Sequence, residues 1–227
     1  MEYLYTDIGL TQNSVVADIC SGTGKLTRQL LEHGCKVFAV EPNGDMRVAA
    51  ERDLGRHDAF VSLCGSAEKT GLADASMDFI TVGQAYHWFD RAAFQAECRR
   101  VLKPDGYVVL VWNMRDEQSE IVIQNAQVNS MFCPQFKGFT GGMAGLAQEG
   151  DFSDFFTGAY ETKKFSNNSI FDETQFIGRN LSSSYALGAD HEGYAAYVDA
   201  LKALFLRYSI KGKLTVPGYT HSYAGHV

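Results

Sequence analysis

Apolar residues fall in short runs from the start of the chain to Trp112, and between the runs they recur at three- and four-residue spacing. Short continuous runs predict buried strands, and the longer period predicts amphipathic helices. Tyr3, Leu4 and Ile8 predict a short helix that Gly9 stops. Strands are expected over 15–18, 36–40, 59–64, 77–82 and 107–112. Helices are expected over 25–33, with Gly34 as the stop, and from Asn43 or Asp45 to Leu54, with Met46, Ala49 and Ala50 on one face. A further helix carries Ala93, Phe94, Ala96, Cys98, Val101 and Leu102 behind Asp90, a suitable N-cap. Lys103-Pro104-Asp105-Gly106 reads as a turn, since proline presets one backbone angle and glycine supplies another. Strand and helix alternate, which predicts a parallel sheet with right-handed crossovers.

After Trp112 the rhythm changes. Residues 117–132 read as helix, and 133–158, rich in glycine and phenylalanine, as a mobile loop. A strand is expected over 160–165, and helices over 172–181 and 192–208. Residues 213–216 and 220–224 read as one last strand with a Pro-Gly interruption.

The most informative stretch is the first strand with its glycine turn. Val15 to Asp18 runs through Ile19, Cys20, Ser21, Gly22, Thr23 and Gly24 into an amphipathic segment. Gly22 and Gly24 permit backbone angles that a Cβ penalises and let a ligand approach the main chain. The unpaired N–H groups that open a helix suit a polar or anionic group there. A dinucleotide site has G-x-G-x-x-G, and here Thr27 takes the third place, so the match is partial. A P-loop fails, because Leu26 follows Lys25 and Ile19 stands where the earlier glycine belongs. Glu41 ends the second strand, 17 positions after Gly24, where a carboxylate can accept from both hydroxyls of a ribose. That supports a nucleoside without choosing which.

Composition narrows the partners. A chain of 227 residues, 45% hydrophobic, is one ordinary domain over 1–227. The net charge of −7 disfavours nucleic acid and anionic membrane. No apolar run is long enough to span a bilayer, and no signal peptide is visible. Cys20, Cys35, Cys64, Cys98 and Cys133 are scattered and never form C-x-x-C, so no metal site is expected and a reducing cytoplasm fits.

The glycine turn resembles motif I of the class I S-adenosylmethionine-dependent methyltransferases, D/E-x-G-x-G-x-G: Asp18, Gly22 and Gly24 match, and Cys20 stands in place of the first glycine. Gln84-Ala85-Tyr86-His87-Trp88-Phe89 resembles the Q-A-F-H-W-F segment of a small-molecule branch that includes relatives of trans-aconitate methyltransferase. Gly65-x-Ala67-Glu68, the D-A-S-x-D stretch from Asp74 and the R-R-V-L-K-P-x-G stretch from Arg99 extend the likeness over 15–112. Trp112-Asn113 and the L-S-S-S-Y stretch ending at Tyr185 carry it further. The resemblance implies a Rossmann-like α/β fold: a mostly parallel seven-stranded sheet, helices on both faces, a cofactor-binding core over 1–115, and over 116–227 a C-terminal helical cap over the site with the last two strands antiparallel at one edge. It implies S-adenosylmethionine as cofactor, held by Asp18, Cys20, Gly22, Gly24, Glu41, Pro42, Ala67 (backbone), Glu68 (adenine amine) and Gln84. It further implies an acceptor pocket of Tyr86, His87, Trp88, Trp112, Asn113 and Tyr185, with His87 as candidate base. Members of the family usually carry a helical lid with Y-x-x-x-R-P-x-Y-P before motif I, and that element is absent from the fourteen residues before Val15.

The expected reaction is in-line transfer of a methyl group to an oxygen or nitrogen, or to a carboxylate, of a small molecule. A hydroxyl acceptor needs a base such as His87; a carboxylate needs none, but needs positive charge that Arg115 or Arg179 can supply. Two alternatives stay open: an NAD-dependent reductase, and a non-catalytic cofactor-binding module.

Overall fold

The computed structural model describes residues 1–139 and 151–227. Buried β-branched runs form a seven-stranded sheet in the order β3-β2-β1-β4-β5-β9-β6. Its strands are β1 (Val15–Ile19), β2 (Lys36–Val40), β3 (Phe60–Leu63), β4 (Met77–Gly83), β5 (Leu102–Arg115), β6 (Glu161–Ser166) and β9 (Gly218–Gly225). β1 pairs in parallel with β2 and β4, β2 with β3, and β4 with β5. β9 runs the other way beside β5. Asp116 N–H donates to Pro217 O at 3.0 Å while His226 meets Gly106 O at 3.0 Å, so the chain directions are opposed. Thr157 N–H likewise reaches His226 O, and Asn167 N–H reaches Gly218 O, both at 2.8 Å, so β6 and β9 are antiparallel. This is a Rossmann-like α/β sheet flanked by helices α1 (Glu2–Thr6), α2 (Lys25–Glu32), α3 (Gly44–Leu54) and α4 (Arg91–Val101), with helices α5 (Glu120–Phe132), α6 (Glu173–Leu181) and α7 (Tyr194–Tyr208) in the C-terminal half.

The chain divides into two compact units. The first holds Met1–Trp112, Asp151–Lys163 and His221–Val227; the second holds the described part of Asn113–Gly150 together with Lys164–Thr220.

In the first unit, strands β1, β2 and β4 end at the same edge, because β1 is paired with both neighbours in register up to Ile19 opposite Val40 and Val82. Side chains at their carboxyl ends therefore converge, which is where open α/β sheets take ligands. Glu97 of α4 holds the crossing between β3 and β4. Its carboxylate accepts from Thr70 N–H (2.9 Å) and Oγ1 (2.6 Å), and from Arg100 Nε (2.9 Å) and Nη2 (2.7 Å). Behind the sheet end lies an aromatic core of Tyr86, Phe94, Trp112, Phe152, Phe155 and Tyr223.

The structure corrects several expectations. Of the stretch expected as a mobile loop, 140–150 lies outside the described residues, but Phe152, Phe155 and Phe156 are fully buried. Gln95 of α4 fixes that segment by donating to Phe155 O at 2.6 Å, and Arg91 pairs with Asp154. The strand expected to begin at Tyr107, after the Lys103–Gly106 turn, already pairs at Leu102: Met77 faces Leu102 and Phe79 faces Tyr107, so the four residues between leave the ladder as an excursion within β5. Met46 is not on the buried face of α3; Ala50 and Leu54 are, and Met46 is 45% exposed.

The second unit has its own core of Ile121, Val122, Phe176, Tyr197, Leu201, Phe205 and Leu214. The expected single last strand is two elements. β8 (Leu214–Val216) pairs antiparallel with β7 (Ser169–Phe171) in a separate two-stranded sheet, and β9 joins the main sheet. Pro217 breaks them, having no N–H to continue a ladder. Gly218 follows where a Cβ would lie 2.7 Å from Met114 O and 3.0 Å from Asn167 O, so only glycine fits between the two main chains.

Candidate active site

The turn after β1 is built from three left-handed residues, Cys20 (φ 53°), Gly22 (φ 58°) and Gly24 (φ 79°). The two glycines differ in what they permit. A Cβ on Gly24 would strike Leu54 Cδ1 at 2.6 Å, so this glycine lets α2 pack against α3. A Cβ on Gly22 would meet nothing nearer than Met46 Sδ at 4.0 Å, so this glycine faces open space. Gly24 begins α2 without a side-chain cap of its own; the Asp18 carboxylate takes the Thr27 N–H, which leaves those of Lys25 and Leu26 available to a ligand.

Glu41, only 5% exposed, clamps the turn. Its Oε2 accepts from Gly22 N–H and its Oε1 from Asn43 N–H, each at 2.9 Å. Asn43 caps α3 through Met46 N–H, and Arg47 of α3 donates back to Glu41 O at 3.0 Å and to Pro42 O at 3.2 Å. One carboxylate thus ties the ends of β1 and β2 to the start of α3.

Asp18 is turned into the core and is 1% exposed. Its Oδ2 accepts from Thr27 Oγ1 at 2.6 Å and its Oδ1 from Thr81 Oγ1 at 3.0 Å. Burial pushes its carboxyl up to about 6, against the opposing pull of those hydrogen bonds. The residue that spoils the dinucleotide pattern, Thr27, is therefore the hydroxyl that holds Asp18 and links β1, α2 and β4. Sequence reasoning missed Thr27 and Thr81 as partners. The signal available was a hydroxyl on the inner face of α2, nine residues after an acid at a strand end.

Cys20 is half-buried, and its thiol is pushed up to about 12 by burial and then by the carboxylates of Glu41, Glu68 and Asp18. It stays a neutral thiol, and the same three acids make the mouth of the turn a negative field.

Beyond β3, Ala67 is buried and Glu68 is partly exposed. Ser66 and Lys69 close the loop with reciprocal main-chain bonds, and Glu68 Oε1 accepts from Asp90 N–H at 3.1 Å. Beyond β4, Gln84 is left-handed (φ 64°), and its N–H donates to Val111 O at 2.9 Å. The next residues form a single 3-10 turn, Tyr86–Trp88, that splits the aromatic run. Tyr86 points into the core at 1% exposure, and Trp88 points out at 74%. His87 lies between them, half-buried, its ring 4.9 Å from that of Trp88, and burial lowers its pKa.

The residues expected to line an acceptor pocket are thus not placed alike. Tyr86 and Trp112 are core residues whose rings meet edge-on at 6.2 Å. Asn113, in the second unit, is a cross-strand clamp whose Oδ1 accepts from Thr220 Oγ1 at 2.6 Å and from Asn167 Nδ2 at 3.1 Å. Tyr185 belongs to a polar cluster of that unit, where Asn129 Nδ2 reaches its hydroxyl at 3.5 Å. Among the described residues no cluster of His, Cys, Asp and Glu is arranged to hold a metal ion, and no helix is long and apolar enough to cross a membrane.

Residues 17–110 match the family model described as a methyltransferase domain. The chain is 45% identical over 103 residues to an uncharacterised methyltransferase of Mycobacterium bovis, which is 45% of this chain and 41% of that protein. It is 33% identical over 116 residues to an uncharacterised methyltransferase of Schizosaccharomyces pombe, 51% of this chain and 45% of that one. The matched stretch therefore spans less than half the length of these relatives. Over nearly the whole chain the fold is similar to a candidate type II methyltransferase from Anaeromyxobacter dehalogenans, with TM-score 0.66 and 24% identity over 93% of this chain and 89% of that one. A methyltransferase candidate from Anabaena variabilis aligns with TM-score 0.58 and 22% identity, covering 94% and 91%.

Proposed function

We propose that this chain transfers a methyl group from S-adenosylmethionine to a small molecule. The observation that carries the reading is the charge at the glycine turn. Asp18, Glu41 and Glu68 all act on the Cys20 thiol at its centre, behind the larger effect of burial, so acids and no cation flank the turn among the groups acting there. Such a field suits a cofactor bearing a sulfonium and an ammonium and opposes the pyrophosphate of a dinucleotide. Gly22, open to the space in front of it, and the uncapped start of α2 fit the amino-acid portion; Glu41 fits the ribose; Ala67 and Glu68 fit the adenine. The methyltransferase-domain match over 17–110 supports the same assignment.

The cofactor, when bound, supplies a methyl group already activated by its positive sulfur. What remains for the chain is to hold the acceptor in line with the carbon–sulfur bond and, for a hydroxyl or amine, to take its proton. His87 suits the second task. It sits past the end of β4, and its ring nitrogens meet no hydrogen-bond partner among the described residues. Burial keeps it neutral, and therefore basic, at neutral pH. Asp18, Tyr86 and Trp112 act from behind, as packing that fixes the turn and the 3-10 segment.

Calorimetric titration with S-adenosylmethionine and with NADH tests the reading. Binding of the first is expected; binding of NADH alone would reverse it in favour of a reductase, and cofactor binding without turnover across a broad acceptor panel would leave a non-catalytic module.

Two substitutions sharpen the test. Cys20→Gly removes a left-handed non-glycine residue, worth roughly 1–2 kcal/mol of strain, and adds about 0.5–1 kcal/mol of unfolded-state entropy. Stability in urea should therefore hold to within about 1 kcal/mol, and S-adenosylmethionine should bind as tightly or more so. A clear loss of affinity in the folded variant would show that the thiol makes a contact of its own. His87→Gln should lower turnover at least about tenfold with a hydroxyl acceptor. The wild-type rate should rise with pH through an apparent pKa below the ordinary histidine value, since burial lowers it, and the mutant should lack that limb. A profile shared by both proteins would return His87 to a packing role.

A further inference from the structure

Arg115, at the end of β5 in the second unit, is half-buried, yet its guanidinium makes no ion pair and no hydrogen bond with another described residue. Its central carbon lies over the Phe139 ring, 4.1 Å from the centroid. A cation is attracted to a ring face, and that contact uses none of the five N–H donors of the guanidinium. The ring beneath belongs to a short aromatic series: Phe139 meets Phe136 edge-on at 5.3 Å, and Phe136 meets Tyr185 at 4.8 Å. The Tyr185 hydroxyl lies 3.5 Å from Asn129 Nδ2, and Asn129 is fully buried, held by Tyr197 Oη at 2.7 Å and by Asn180 of α6. Arg179 precedes Asn180 on that helix and forms no ion pair with a carboxylate among the described residues, its guanidinium 5.5 Å from the Phe171 ring.

Burial, and then the like charge of Arg179, lowers the Arg115 pKa. Among the described residues the charged and titratable groups acting on Arg115 are Arg179, Tyr185 and Glu117, and Glu117 forms no ion pair with it. In a chain of net charge −7, with ion pairs formed at most of the other arginines, these two arginines of one unit form none with the described residues. Partly buried charge is costly unless paired, so the pair favours an anionic ligand group.

We propose that Arg115 and Arg179, with the Tyr185 hydroxyl, bind the carboxylate or phosphate group of a small molecule. A planar guanidinium presents parallel donors that match two oxygens of either group. Identifying this group as part of the methyl acceptor rests on the proposed function; the oxyanion site itself does not.

Calorimetric titration of the full chain at low ionic strength, with malonate and separately with inorganic phosphate, tests it. Saturable binding of at least one is expected. Arg115→Gln should weaken it at least about tenfold and Arg179→Gln several-fold, consistent with loss of a charge-assisted pair. Arg115→Lys should restore only part, because the charge returns without the fork. Arg56→Gln, an exposed arginine of the first unit, should change nothing. Preference for malonate assigns a carboxylate, and preference for phosphate assigns a phosphate. Circular dichroism of each variant checks that it folds. No saturable binding of either probe, unchanged affinity in folded Arg115→Gln, or an equal loss in Arg56→Gln would overturn the site. Titration of the same samples with S-adenosylmethionine separates the two readings. Anion binding without cofactor binding keeps the oxyanion site and removes its link to an acceptor; cofactor binding without anion binding does the reverse.

Discussion

Glu41→Ala should weaken S-adenosylmethionine binding by roughly a hundredfold while the sheet still folds. Two losses combine. The ribose loses an anionic acceptor, and charge-assisted hydrogen bonds are worth about 1.5–3 kcal/mol each. The glycine turn also loses its clamp, because Glu41 accepts from Gly22 N–H and from Asn43 N–H at once. With those donors released, the turn must be ordered again when the cofactor binds, which subtracts further from affinity. Glu41→Gln separates the contributions: its amide oxygen can still accept from one main-chain N–H, but its NH2 group faces the other as donor to donor. It should therefore fall between wild type and alanine. Titration at matched folded fraction measures all three proteins. Equal affinity in wild type and Glu41→Ala would remove Glu41 from the ribose, and equal affinity in the Gln and wild-type proteins would show that its charge contributes nothing.

That double role was half legible in the sequence. An acid at the end of the second strand, behind a glycine turn, announces a nucleoside. It does not announce that the same carboxylate holds the turn in advance, because the register bringing Ile19 beside Val40 is a property of paired strands. The parallel half of the sheet was legible for a related reason. Its central strands, β1, β4 and the 107–112 part of β5, are largely buried and read as near-continuous apolar runs. The later elements lack that signature. β7 and β8 are three residues each, too short for any period to show. Phe152, Phe155 and Phe156 read as loop because nothing local repeats, and what buries them is Tyr86, Trp112 and Gln95, far away in sequence. The Tyr86-His87-Trp88 run shows the limit most clearly. Three adjacent ring-bearing residues look alike in sequence, and a single 3-10 turn sends the first into the core and the third into solvent.

Two carboxylates of the first unit should pull its stability in opposite directions as pH falls, and the sign of each is set by its surroundings. Asp18 is fully buried, and burial outweighs its bonds from the two threonine hydroxyls and the Thr27 N–H, so its carboxyl is raised from 3.8 to about 6. Between about 6 and 4 the folded chain takes up a proton that the unfolded chain does not, so acidification through that window stabilises the fold by about 3 kcal/mol relative to neutral pH. Glu97 is held by Arg100 and Thr70, and those bonds lower its carboxyl from 4.5 to about 2. Its contribution is complete above 4.5 and is lost as pH falls towards 2, again about 3 kcal/mol. Urea unfolding at stepped pH measures both, each against a neutral variant. Asp18→Asn can still accept from one threonine and donate to the other, so the wild type should gain on it from pH 6.5 to 4. Glu97→Gln should be less stable at pH 7, where Arg100 keeps Asp74 but loses its charge-assisted bonds to Glu97, and the wild type's advantage should vanish towards pH 2. The first difference has its midpoint near the folded pKa of Asp18, above the range in which unperturbed carboxyls titrate, so other acids do not mimic it. A pH-independent gap for Asp18→Asn would mean that its carboxylate is solvated in solution and that the Thr27–Asp18–Thr81 bridge does not hold the turn. The same result for Glu97→Gln would mean that Arg100 and Thr70 do not fix the loop carrying Ala67 and Glu68. Either outcome would detach the site from the part of the fold that holds it in place.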